Sequence, residues 1–113
     1  MKLCFTAILS CLYVSAAGAH AFLQHANPAA GTSLKPAPRE IALQFSEQLE
    51  PGFSGVEVTD SAAHNVAASA TISGSSMHAA LKPLPPGQYR VKWHAVSVDS
   101  HRTEGQFTFT VRP

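Results

Sequence analysis

Residues 20–113 contain no cysteine; the two thiols of the 113-residue chain, Cys4 and Cys11, stand in its first segment. Everything beyond residue 19 therefore lacks a disulfide, a thiolate nucleophile and a thiolate metal site, even in a compartment that permits disulfides. An excess of charge of one sign is missing too. Lys and Arg number 8 against 7 Asp and Glu, and because Lys2 belongs to the first segment the remainder is formally neutral. A neutral domain offers no basic footprint to nucleic acid or anionic lipid. No apolar run after residue 19 approaches the roughly 20 residues needed to cross a hydrocarbon core of about 30 Å. No stretch carries an apolar stripe at helical spacing. At 113 residues the chain closes one core, which excludes a multi-layer enzyme with its own cofactor domain.

The first segment has the pattern of a secretory signal peptide. Lys2 supplies the positive start, Leu3 to Val14 is mostly apolar, and Ala17-Gly18-Ala19 places small residues at the −3 and −1 positions of a cleavage site. A lipid-attached Cys11 is the rival, but it leaves almost no apolar stretch upstream of its cut. Residues 1–19 are thus predicted to be removed on export, leaving 20–113 as a soluble exported domain.

Within 20–113 the apolar residues alternate with period two. Ile41, Leu43 and Phe45 share one face, as do Val56 and Val58, then Tyr89, Val91, Trp93 and Ala95, then Phe107, Phe109 and Val111. Such alternation marks half-buried strands. Turn signals separate them at Asn27-Pro28, Lys35-Pro36-Ala37-Pro38, Pro51-Gly52, Asp60-Ser61, Ser73-Gly74-Ser75 and Pro85-Pro86-Gly87. Weaker strands are expected near 21–25, 66–72 and 77–82. The pattern predicts an all-β, Greek-key sandwich or barrel of immunoglobulin-like architecture, without the inter-sheet disulfide of true immunoglobulin domains, and with Trp93 in the core.

All six histidines lie beyond residue 19. Cleavage after Ala19 would make His20 the first residue, with an α-amine (reference pKa about 7.7–8.0) and an imidazole (about 6.5) on one residue, both displaceable by a metal near neutral pH. Asp99-Ser100-His101 is the second element. On an extended backbone, residues two apart project to the same side, so carboxylate and ring would converge on one ion. Taken singly, His20 could be a solvated terminus and Asp99 the pivot of an Asx-type turn beside an exposed His101. Together they form an N/O donor set rich in nitrogen, of the kind Cu(II) favours. His94 is expected to point away from the core and His64 to sit in a turn, both solvated; His25 and His78 are left unassigned.

Several blocks, in this order, resemble the CopC family of periplasmic copper resistance proteins. They are His20-Ala21-Phe22-Leu23, Asn27-Pro28-Ala29-Ala30-Gly31, Phe45-Ser46-Glu47, Pro86-Gly87-Gln88-Tyr89-Arg90-Val91-Lys92-Trp93, Ser97-Val98-Asp99-Ser100-His101 and Gly105-Gln106-Phe107-Thr108-Phe109. The resemblance implies a CopC-like domain over 20–113 that binds one Cu(II) per chain through His20, Asp99 and His101, with Glu47 near the metal as an outer or weak ligand. It also implies a CopD-type inner-membrane copper transporter as partner. Ser100 stands where many members have Gly, and His25 where a small hydroxyl residue is usual. The methionine-rich segment with which some members bind Cu(I) is missing: Ser73 to Leu81 offers only Met77 beside His78, and Met77 is expected in the core.

The function these features imply is non-catalytic sequestration or delivery of Cu(II) in copper resistance and homeostasis. A copper-dependent oxidative enzyme with an N-terminal histidine brace, like the lytic polysaccharide monooxygenases, is the alternative from another class. Its substrate face has little room here, and Asp99 would occupy a coordination position that oxygen chemistry needs open. A metal-free structural sandwich accounts for the strands but not for His20 at the cut or for Asp99-Ser100-His101.

Overall fold

The computed structural model describes residues 20–113; the proposed leader, 1–19, lies outside the described residues. The described chain is all β. Its strands are β1 (Leu23–Asn27), β2 (Ser33–Leu34), β3 (Glu40–Phe45), β4 (Gly55–Asp60), β5 (Ala67–Ser73), β6 (Ser76–Leu81), β7 (Gly87–Val96) and β8 (Arg102–Val111). One sheet has the order β1-β3-β6-β5 and the other β2-β8-β7-β4. The chain crosses between sheets at every connection except the β5–β6 and β7–β8 hairpins, giving the expected immunoglobulin-like sandwich. Among the described residues no helix is long and apolar enough to cross a membrane.

Period two is what buries the core. Ile41, Leu43 and Phe45 on β3, Met77 and Ala79 on β6, and Tyr89, Val91, Trp93 and Ala95 on β7 all face inward and are buried, while their neighbours face water. Phe107 is only partly buried and packs against the margin of this cluster. Trp93 meets Phe45 edge to face, ring centroids 5.1 Å apart, an arrangement favoured by the aromatic quadrupoles. Opposite Trp93 in the β7–β8 ladder stands Gly105, which leaves space for the indole. At the start of β7, the Tyr89 hydroxyl donates to the Pro85 carbonyl, the tyrosine-corner contact of Greek-key proteins, and burial pushes the Tyr89 phenol above its usual range.

Two features depart from the period-two reading. The strand β2 is two residues long and pairs in parallel with β8, too short to show an alternation. In β1, a bulge between Leu23 and His25 sets Leu23 opposite Phe45 and His25 opposite Gln44. The extra residue re-phases the strand, so Leu23 packs on the core while His25 is exposed on the outer face.

Candidate metal centre

Three segments meet at one end of the sandwich: the arm His20–Phe22, the residues after β3, and the turn joining β7 to β8. The inward alternation of β7 continues one step past the strand, so that Ser97 is buried, 1% exposed. Its N–H donates to the His101 carbonyl at 3.0 Å, and the Ser100 N–H donates to the Ser97 carbonyl at 2.8 Å. The chain thereby reverses within Ser97–His101, with Ser100 at a φ of +74°, a left-handed conformation that a residue with a Cβ adopts at a cost. Asp99 and His101 are therefore brought together by a tight turn, where the sequence pattern had suggested an extended segment. The left-handed residue between them is the physical reason.

In this turn Asp99 Oδ1 accepts the Ser97 hydroxyl and lies 3.3 Å from His101 Nδ1. The Ser97 hydroxyl above all, with the ring and backbone N–H of His101 adding to it, holds the Asp99 carboxyl below the usual carboxylate range against the opposing effect of desolvation. Asp99 is thus an anion throughout the neutral range. With Nδ1 facing this carboxylate, Nε2 is the His101 nitrogen left to meet a metal, an orientation that carboxylate–imidazole pairs commonly impose. Both side chains are about half exposed.

The arm brings the second ring. Ala21 is fully buried, and its carbonyl accepts the Thr103 hydroxyl at 2.7 Å. The Phe22 N–H donates to Ser46 Oγ at 2.8 Å, the Ser46 hydroxyl donates to the His20 carbonyl at 3.2 Å, and the Ser46 N–H donates to the Phe22 carbonyl at 2.9 Å. Held in this way, the His20 ring lies edge-on to that of His101, centroids 4.7 Å apart, with Phe22 on its other flank at 6.1 Å. Glu47, half-buried, follows Ser46 on the same segment.

The structure therefore brings His20, Asp99 and His101 to one place, though the set is not closed: among the described residues no group of three or more His, Cys, Asp or Glu side chains is gathered tightly enough to hold a metal ion. His20 supplies one ring here, and its backbone nitrogen is still an amide joined to Ala19. A released amine is the donor that would complete the set. The remaining histidines are elsewhere. His64 closes a turn in which its N–H and that of Ala62 donate to Asp60 Oδ1, each at 2.9 Å, and its ring sits 3.5 Å from Asp60 Oδ2. His78 pairs with Glu40 at 3.6 Å, at the opposite end of β3 from Ser46. His94 is half-buried against Gly55. Met77, the one sulfur among the described residues, is fully buried and out of reach of any ion.

The sequence pointed to His20, Asp99 and His101 but not to the hydroxyls of Ser46, Ser97 and Thr103 that hold them. Hydroxyl residues in strands and turns have no periodic signature; the partners of Ser46 and Thr103 are backbone groups distant in sequence, and that of Ser97 is the Asp99 carboxylate within its own turn. Two recesses of about 530 and 550 Å³ are lined by β4–β5 and by the 36–39 and 81–84 segments, well away from this centre.

Comparison with known proteins agrees with the architecture. The CopC domain family matches residues 23–112. The chain belongs to the CopC family. Protein YobA of Escherichia coli is 41% identical to it over 99 residues, covering 83% of this chain and 80% of that protein. The crystal structure of CopC from Methylosinus trichosporium OB3b superposes with a TM-score of 0.77 at 31% identity, over 83% of this chain and 95% of the other. PcoC, a methionine-rich copper resistance protein from Escherichia coli, gives 0.73 at 40% identity, over 83% of this chain and all of PcoC. Family membership makes this a copper-related protein. It differs from PcoC in having two methionines, of which Met77 is sealed in the core.

Proposed function

We propose that this CopC-family chain is exported to the periplasm, cut after Ala19, and there binds one Cu(II) without catalytic turnover, sequestering it or passing it to a CopD-type transporter in the inner membrane. The observation that carries the reading is the seating of the His20 ring 4.7 Å from that of His101, itself backed by Asp99. After cleavage, the amine and ring of His20, the ring of His101 and the Asp99 carboxylate would form an N/O set suited to the tetragonal geometry of Cu(II), which also heads the divalent affinity order. Glu47, next to Ser46 in sequence, would be an outer or weak contact to the metal. Cu(I) is disfavoured because it selects soft thioether and thiolate donors, and the described residues offer only the buried Met77.

The experiment is Cu(II) titration of the exported protein carrying His101→Ala or Asp99→Ala. Each variant should bind copper more weakly while its far-UV circular dichroism stays that of the parent, since both residues are exposed on a turn. Unchanged copper affinity in both would remove the turn from the site.

A further inference from the structure

The Ser46 in Phe45-Ser46-Glu47, and Thr103 two residues beyond His101, have no role in the reading above, yet they make the side-chain hydrogen bonds to the arm. We propose that Ser46 and Thr103 are positioning residues that hold His20 against His101; the proposal rests on the copper reading for its consequence, but not for its geometry. Ala21, fully buried, fixes the depth of the arm in the core, and one backbone bond, from the Ser46 N–H to the Phe22 carbonyl, ties it on the β3 side, which leaves the placement of His20 itself under-determined. Two hydroxyls supply the further restraint from opposite sides. Ser46 follows β3 of one sheet and bonds both the Phe22 N–H and the His20 carbonyl; Thr103, on β8 of the other sheet, bonds the Ala21 carbonyl. The arm thus bridges the two sheets.

The grip has two further properties. Thr103 lies two residues beyond His101, so its bond to the Ala21 carbonyl ties the arm close to the segment that presents the second ring. The bonds also engage the carbonyls of His20, Ala21 and Phe22 and the N–H of Phe22, and none of them uses the nitrogen of His20. Release of the leader would then expose an amine on a residue already seated beside its partner. A terminal residue without such restraint loses conformational freedom on binding a metal, and that loss weakens affinity.

The test compares Ser46→Ala, Thr103→Val and the conservative Thr103→Ser in protein exported with its own leader, with intact mass confirming the N-terminus. In the metal-free protein, nuclear Overhauser contacts between the His20 and His101 rings should be present in the parent and in Thr103→Ser, and lost in Thr103→Val. Cu(II) affinity should fall roughly tenfold to a hundredfold in Ser46→Ala and Thr103→Val, the range typical of outer-sphere residues at metal sites. The nitrogen couplings in the Cu(II) electron paramagnetic resonance spectrum should change with it, and Thr103→Ser should restore both. Ring contacts and copper spectra unchanged in folded Ser46→Ala and Thr103→Val would overturn the proposal. If ring contacts disappear in Thr103→Val while the parent itself fails to bind Cu(II), positioning by Thr103 is upheld and the copper reading is what fails.

Discussion

Gly105→Ala probes the packing beneath the candidate centre. A Cβ at residue 105 would lie 2.6 Å from Cζ2 and 2.9 Å from Cε2 of Trp93, where carbon atoms prefer about 3.5–4.0 Å. The overlap is therefore on the order of 1 Å. Trp93 cannot easily withdraw, because its far side rests on Phe45, which is 1% exposed. Forcing an extra carbon into a packed core costs about 1–3 kcal/mol. Against this, the lost backbone freedom of the unfolded chain returns about 0.4–1 kcal/mol. A net destabilisation of about 1–2 kcal/mol is expected, which lowers the melting temperature of a domain this size by roughly 4–16 °C. Thermal and urea unfolding of the exported protein measure it directly. Trp93→Phe removes the ring atoms that clash, so the double variant should cost less than the two single changes added, a coupling of about 1 kcal/mol in a double-mutant cycle. A melting temperature that stays level or rises in Gly105→Ala, or strict additivity in the cycle, would refute the packing argument.

Two further outcomes follow from local geometry. Ser100→Gly should stabilise the protein by about 0.5–1 kcal/mol, because relief of the left-handed strain at φ +74° exceeds the added freedom of the unfolded chain, and Cu(II) affinity should be unchanged; urea unfolding and a copper titration check the two halves. Asp60 is held below the usual carboxylate range chiefly by the backbone N–H of His64, with that of Ala62 and the His64 charge adding to it against desolvation. A lowered folded value means the carboxylate contributes stability above the unfolded pKa of about 3.9 and loses it as the pH falls through the folded value. Asp60→Asn should therefore be less stable than the parent at neutral pH, with the gap closing in acid; an equal gap at both ends of a urea-unfolding pH series would be the wrong outcome.

The fold was legible where alternation was long. Ile41 to Phe45 and Tyr89 to Ala95 each place several inward residues in step, and that is enough to locate β3 and β7. It could not reveal β2, whose two residues show no period, nor the bulge at Leu23–His25, because an extra residue breaks the rule by which a strand is read. At the candidate centre, residue chemistry singled out His20, Asp99 and His101, but the way they meet was misjudged. Asp99 and His101 converge through a left-handed Ser100, a conformation that the identity of the residue argues against. Ser46, Ser97 and Thr103 were illegible for a different reason. A serine or threonine reveals its role only through a partner: the arm backbone reaches Ser46 and Thr103 through the tertiary fold, and the Asp99 carboxylate reaches Ser97 only once the turn has formed.

The central claim is that Cu(II) is held by the amine and ring of His20 together with the Asp99–His101 turn. A competition titration against a copper chelator, run on exported protein beginning at His20 and on the same protein with one Gly placed before it, tests it most directly. The expected result is one Cu(II) per chain for the first, more than one proton released per metal near neutral pH, and much weaker binding for the second, whose amine has moved away from the ring that shares its metal. Equal Cu(II) affinity in the two proteins would contradict the account.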